Sequence, residues 1–315
     1  MKQIFALILF LTITAGYLFS AESTVFREKI QFKSGEETLF GEFIIPQNRT
    51  HIPLLVFLPG SGPTSSYRTN YANFLKEILE NQLLDKGIAL MYFDKRGVAP
   101  STGKWYQTDF FERAEDAYAA IKFAKSTGRF DSCRIGVIGH SQGGWIVQII
   151  AAQYSQEVRC MVSLSGATFD VKRQLINDYQ SENICKGMDS IRANRKARKR
   201  AAFDLRFVSL FPVTQGWKQL KLVKTFDPAQ SIEKIKCPAL FTFAGNDNLV
   251  YPQWCMQSLH NIFPGGTPAN FTVKTFIGVN HSYRVTEFCS RGKYKQASYS
   301  GEFKEYFTNW ILNNL

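Results

Sequence analysis

Histidine is scarce in this 315-residue chain, with four in all, and none of the six cysteines stands near another at the spacing of a metal-ligand pair. Metal chemistry is therefore not expected, and no cofactor is expected either. Internal repeats and low-complexity segments are also missing, which leaves a chain able to bury one large core and argues against two independent domains. Acidic side chains are too few to balance the basic ones: 26 Asp and Glu face 38 Lys and Arg, for a formal net charge of +12. The deficit is local. Segment 167–228 holds thirteen basic and six acidic residues, so +7 of that total lies in about a fifth of the chain.

At the N-terminus one lysine precedes an almost unbroken apolar run from Ile4 to Phe19. It reads as an export signal, residues 1–23, with Ala21 and Ser23 as the small residues before the cut. An uncleaved anchor is the alternative, since the run approaches the roughly 17–25 residues that span a bilayer. No cysteine lies in it, which argues against a lipoprotein anchor. On either reading the folded part is expected outside the cytoplasm, periplasmic or secreted. There the six cysteines are free to pair, with buried thiols as the alternative.

Strand-like and helix-like patterns follow in a regular order. Runs 29–33 and 39–45 form a hairpin signal across a Ser-Gly-Glu-Glu turn. Short apolar runs at 54–58, 88–93, 135–138, 160–164, 239–243 and 271–276 then alternate with helical patterns near 70–86, 110–125, 144–154, 252–262 and 301–315. Such alternation predicts an α/β fold with a mostly parallel central sheet, helices on both faces, and a site at the carboxyl ends of the strands.

The strand at 135–138 runs into Gly139-His140-Ser141-Gln142-Gly143-Gly144 and then a helix. A serine at the centre of Gly-x-Ser-x-Gly, between strand and helix, is the nucleophile-elbow pattern, in which small flanking residues let strand and helix pass closely. Ser141 is the candidate nucleophile, and the N–H of Gln142 at the helix start is a candidate oxyanion donor. After the third strand, Pro59-Gly60-Ser61-Gly62-Pro63 supplies small residues for close approach to a bound carbonyl. Ser61 is the second candidate donor, with Gly62 as the alternative, and Gly60 and Gly62 are candidate substrate contacts. In Asp94-Lys95-Arg96-Gly97, Asp94 and Arg96 are expected to fix their loop rather than act on substrate.

A serine nucleophile needs a base, and the base needs a carboxylate to hold its tautomer. Of the four histidines, His281 alone falls on a loop at the productive end of the strands. Asp247 follows the preceding strand in Gly245-Asn246-Asp247, with Asp170 and Asp227 as alternative acids. Ser141, Asp247 and His281 thus stand in the chain order of the nucleophile-elbow fold.

Together Gly-His-Ser-Gln-Gly-Gly, the Asp-Lys-Arg-Gly loop with its later Ser-Thr-Gly, Gly-Asn-Asp-Asn-Leu-Val and Asn-His resemble the α/β-hydrolase superfamily. The likeness is nearest to exported bacterial esterases and serine-aminopeptidase-like hydrolases whose oxyanion loop reads Gly-Ser-Gly-Pro. Two positions depart from the pattern: Pro59 stands where many members carry histidine, and Ala99-Pro100 replaces a glycine-containing turn. The resemblance implies a serine hydrolase cleaving carboxylic esters, with peptides or thioesters as the variant substrates. It divides the chain into a hydrolase core, 24–166 and 229–315, and a basic helical cap, 167–228, inserted after the sixth strand. Residues 188–211 read as helix, with a basic face passing into an apolar one, and Phe203, Phe207, Phe211 and Trp217 are candidates to line an acyl pocket. A small-molecule acyl ester is the expected partner, and the basic cap suits an anionic membrane surface or an acidic ligand. Specific nucleic-acid binding is not expected, because no binding module accompanies the charge. A non-catalytic binder of lipid or anionic ligands on the same scaffold is the competing class; a missing nucleophile or base would favour it, and neither is missing.

Overall fold

The computed structural model describes residues 25–46, 51–290 and 296–315, so the export signal expected at 1–23 lies outside the described residues. Eight strands are found: β1 (Val25–Ser34), β2 (Glu37–Pro46), β3 (Ile52–Leu58), β4 (Ala89–Phe93), β5 (Phe130–His140), β6 (Cys160–Leu164), β7 (Ala239–Ala244) and β8 (Phe271–Phe276). They form one sheet in the order β1-β2-β4-β3-β5-β6-β7-β8. The β1–β2 hairpin and the β2–β4 pairing are antiparallel, and every later pairing is parallel, as the alternation predicts. Every residue of β3, β4, β6 and β7 is buried, which explains why these strands read as continuous apolar runs.

Among the described residues ten α-helices accompany the sheet. They are α1 (Ala72–Leu75), α2 (Asn81–Leu83), α3 (Phe110–Ser126), α4 (Gln142–Gln153), α5 (Val171–Cys185), α6 (Ser190–Leu210), α7 (Gln215–Val223), α8 (Ala229–Ile232), α9 (Pro252–Ile262) and α10 (Gly301–Asn314). A π-helical stretch, Lys76–Glu80, joins α1 to α2. Alternate residues of β3 divide the core: Leu54, Val56 and Leu58 pack with α3, α4, α8 and α9, whereas Leu55 and Phe57 pack with α1, α2 and α10. Each fully buried Leu, Ile or Phe contributes about 1.5–3 kcal/mol relative to exposure, so both layers are held mainly by this burial.

Between β6 and β7, before the short α8, come α5, α6 and α7, of which sequence patterning singled out only α6. Their starts are marked by side-chain caps: Asp170 accepts from the Arg173 N–H, Asp189 from Arg192, and Thr214 from Trp217. Along α6, Ala193, Ala197 and Ala201 are buried at four-residue intervals, and the latter two pack with Ile176 of α5. The basic side chains take the remaining faces. Among the described residues no helix is long and apolar enough to cross a membrane.

Candidate active site

Only Ser141 separates β5 from α4, and its backbone sits at φ +57°, ψ −123°. That conformation strains a residue bearing a Cβ and turns the chain sharply enough to expose the side chain at the strand end. The neighbours explain the glycines around it. A Cβ on Gly139 would lie 2.0 Å from the Gly143 carbonyl oxygen, and one on Gly143 would lie 2.2 Å from the Leu58 carbonyl oxygen.

Asp247 follows β7, is buried, and divides its two oxygens between tasks. Oδ1 accepts the N–H groups of Leu249 (2.8 Å) and Val250 (3.0 Å), while Oδ2 accepts from Nδ1 of His281 at 2.7 Å. An Asx-type turn and an acid holding a base are thus the same residue. The alternative acids are committed elsewhere: Asp170 caps α5 and Asp227 accepts from the Ala229 N–H. Nε2 of His281 is buried and makes no hydrogen bond, so the Ser141 hydroxyl is not bonded to it in this structure. Catalytic hydrogen bonds of this kind often tighten only when substrate is bound. Tyr283 anchors the His281 loop: its ring stacks on Phe303 at 3.7 Å, and its hydroxyl accepts the Ser165 N–H (2.9 Å) and donates to the Thr242 carbonyl (3.0 Å).

The loop after β3 is clamped from beneath. Arg113 Nη2 donates to the Pro59 carbonyl at 2.7 Å, Lys95 Nζ donates to the Gly60 carbonyl at 2.7 Å, and the Gly60 N–H donates to the Tyr71 hydroxyl at 2.9 Å. Arg113 also donates to the Gln142 side-chain oxygen at 2.6 Å, which ties the loop to the start of α4. Burial pushes the Arg113 guanidinium down to about 10 and the Lys95 ammonium well below its ordinary range. The Gly60 N–H is committed to Tyr71, and Ser61 and Gln142 line the cavity beside Ser141. Asp94 and Arg96 take loop-fixing parts: Asp94 accepts the Tyr67 N–H at 3.2 Å, and Arg96 forms a two-pronged pair with Asp116 at 2.8–3.0 Å.

Ser141 opens into a cavity of about 260 Å³. Its apolar walls are Phe110 and Trp145 from the core, Val171 and Leu175 of α5, and Leu220 and Val223 of α7. Phe207 and Phe211, expected to line it, do not. Spaced four residues apart, Phe203 and Phe207 of α6 and Phe211 just past its end contact one another along the helix with centroids 5.8 and 5.4 Å apart, and Phe207 meets Trp217 at 5.1 Å. Phe211 is 55% exposed. Gly62, at φ +88°, and Gly60 are likewise not among the lining residues; Gly60 serves instead as a close-approach point, since a Cβ there would lie 2.6 Å from the Tyr71 hydroxyl.

One carboxyl enters the cavity from α5. Asp178 accepts from Gln174 Nε2 at 2.8 Å, and burial pushes its carboxyl up to about 7, with Asp247 adding to the rise and His281 opposing it. Sequence reasoning missed Asp178 along with Tyr71, Lys95 and Arg113. Lys95 stands in the motif between the two charged residues that were weighed. Among the described residues no group of three or more His, Cys, Asp or Glu side chains is placed to hold a metal ion.

The chain is similar to known proteins in sequence and fold. The family described as "Serine aminopeptidase, S33" matches residues 68–283. An Escherichia coli protein described as an uncharacterized 31.7 kDa protein in the traX-finO intergenic region is 26% identical over 245 residues, 71% of this chain and 82% of that one. Among solved structures, the Pyrococcus furiosus esterase Pf2001 superposes with a TM-score of 0.62 at 16% identity, covering 92% of this chain and 91% of that one. Est1E of Butyrivibrio proteoclasticus, solved with ferulic acid bound, gives 0.60 at 15% identity over 90% and 98%. At such identities the two structures speak for the fold alone, which is that of the α/β-hydrolases.

Proposed function

The chain belongs to the serine aminopeptidase S33 family of α/β-hydrolases, and from that premise we propose that it is a serine hydrolase of small carboxylic esters acting through Ser141, His281 and Asp247. The observation that carries the reading is the 2.7 Å bond from His281 Nδ1 to Asp247 Oδ2, which leaves Nε2 as the open nitrogen of a histidine tied to the elbow strand. Nε2 takes the Ser141 proton as Oγ attacks the ester carbonyl, and the N–H groups of Gln142 and Ser61 bind the oxyanion. Collapse expels the alcohol, which takes the proton from His281. Water then gives a proton to His281, attacks the acyl-serine, and releases the acid with Ser141 restored. Asp247 stays ionised and holds the ring throughout.

Helices α5 to α7 act as a cap whose α5 and α7 shape the acyl pocket, and the apolar walls suit a small acyl group. The protein acts outside the cytoplasm; the Cys185–Cys289 disulfide supports that reading, because such bonds persist in oxidising compartments. A specific observation favours a second reading. Asp178, ionised above about pH 7 inside the cavity, offers a counter-charge to a substrate ammonium group, which fits amides or esters of amino acids.

The test is hydrolysis of p-nitrophenyl esters of rising acyl length beside aminoacyl p-nitroanilides, with labelling by a fluorophosphonate. Turnover and labelling that both vanish in Ser141→Ala are expected, and the preferred series separates the two readings. A folded protein that neither turns over nor labels would overturn both.

A further inference from the structure

His140 precedes the nucleophile, yet nothing in the reaction above uses it. Its imidazole is 4% exposed and is bonded at both nitrogens. The Tyr71 hydroxyl lies 2.8 Å from Nδ1, and the carbonyl oxygen of His281 lies 2.9 Å from Nε2. A carbonyl can only accept, so Nε2 carries the proton. Tyr71 already accepts the Gly60 N–H at 2.9 Å, so its own proton is free to point at Nδ1, which must then be the bare nitrogen. For a neutral ring only one arrangement satisfies every partner: Gly60 N–H to Tyr71, Tyr71 O–H to His140 Nδ1, and His140 Nε2–H to the His281 carbonyl. The rings agree, with His140 centred 4.7 Å from the His281 ring, 5.6 Å from Tyr71 and 4.9 Å from Phe74, which closes over it.

We propose that Tyr71 and His140 are positioning residues that couple the oxyanion loop to the base loop, so that the donor at Ser61 and the base His281 are set as one unit around Ser141. The inference rests on the serine-hydrolase reading for its effect on turnover, but not for its bonding pattern. The bonds span residues 60, 71, 140 and 281, so they join the loop after β3, the start of α1, the end of β5 and the loop after β8. Protonation of His140 would put a hydrogen on Nδ1 and reverse the bond with Tyr71, whose hydroxyl would then have to accept rather than donate. Burial, the largest influence on this group, accordingly holds the ring neutral, pushed down to about 3, with the His281 ring acting in the same direction. The unit is therefore static: it conducts no proton and changes no charge between pH 5 and 9.

Two measurements test it. Nitrogen-15 chemical shifts of the histidine rings in the wild-type protein read the bonding directly, whether or not a substrate is known. The expected result is a neutral His140 with its proton on Nε2, unchanged from pH 5 to 9; a proton on Nδ1, or titration within that range, would overturn the relay. Kinetics read the coupling. Tyr71→Phe keeps the ring packing but removes both bonds, and is expected to lower kcat by roughly tenfold to a hundredfold with KM changed less than about threefold, since misplacing both donor and base weakens transition-state contacts selectively. His140→Gln, which retains an amide donor for the His281 carbonyl, is expected to recover part of the kcat lost in His140→Leu at matched melting temperature. A Tyr71→Phe protein with unchanged kcat, or equal losses in the two His140 variants, would reduce both residues to packing. A wild-type protein that turns over no substrate would instead count against the hydrolase reading, and the nitrogen shifts would still decide the relay.

Discussion

Ala99 occupies a backbone position at φ +50°, in the left-handed region that favours glycine. A Cβ in that region costs about 1 kcal/mol, so Ala99→Gly is expected to raise the melting temperature by roughly 1–3 °C with no change in turnover, checked by calorimetry. Asp178 makes a prediction of opposite origin. Its folded pKa of about 7 lies above the ordinary carboxylate value of 3.8, so between those values the folded state holds a proton the unfolded chain has lost. Its contribution to stability is therefore greatest at low pH, declines as pH rises through that window, and is flat above it. Asp178→Asn removes the decline. The variant is expected to melt roughly 2–4 °C above the wild type at pH 8.5 and at the same temperature near pH 4, with loss of activity toward aminoacyl substrates alone if the carboxyl binds an ammonium group. The departure at Ala99 was visible in the sequence because a motif surrounds it. Asp178, Tyr71, Lys95 and Arg113 were not, because their work is done across space: Tyr71, Lys95 and Arg113 reach the oxyanion loop over 11, 35 and 54 residues of chain.

Elements were legible where burial is complete. The run expected at 160–164 and the helix at 252–262 coincide with β6 and α9 at both ends, since a fully buried strand or a proline at the first helical position leaves little choice. Helices α5 and α7 were not separated out, because their polar sequences carry only narrow apolar stripes and their capping residues were read as candidate acids or passed over. The disulfide was equally hidden: pairing across 104 residues depends on where the folded chain brings α5 and the segment after the His281 loop together. That bond fastens the helix bearing Asp178 to the chain eight residues beyond the base. Replacing both Cys185 and Cys289 with serine is expected to lower the melting temperature by roughly 5–10 °C, corresponding to about 2–4 kcal/mol, and to leave Ser141 reactive toward the fluorophosphonate in the cold.

For the whole molecule, the charge imbalance is concentrated on α6, whose outer face carries arginines and lysines beside exposed Phe203 (62%) and Leu210 (72%). Such a face is expected to adhere to vesicles of phosphatidylglycerol and phosphatidylcholine at 0.05 M NaCl as an order-of-magnitude low-salt condition, to release at roughly tenfold higher salt, and to lose adhesion when Arg195, Lys196 and Lys199 are reversed to glutamate. Co-sedimentation at fixed lipid checks this, and adhesion that ignores salt would remove the electrostatic account. The sheet order has a further consequence. Ser141 and the Gly60-Ser61-Gly62 loop follow β5 and β3 in the middle of the sheet, whereas Asp247 and His281 follow β7 and β8, and among the described residues β8 is an outermost strand paired on one side only. Its outer face relies on α10, where the Trp310 indole donates to Thr272 at 3.1 Å. Fraying begins at such edges, so warming is expected to disperse the His281 loop before it disturbs Ser141. Under the proposed function, hydrolysis is then expected to fade while the circular-dichroism signal persists, and to return on cooling as the last strand settles back into register.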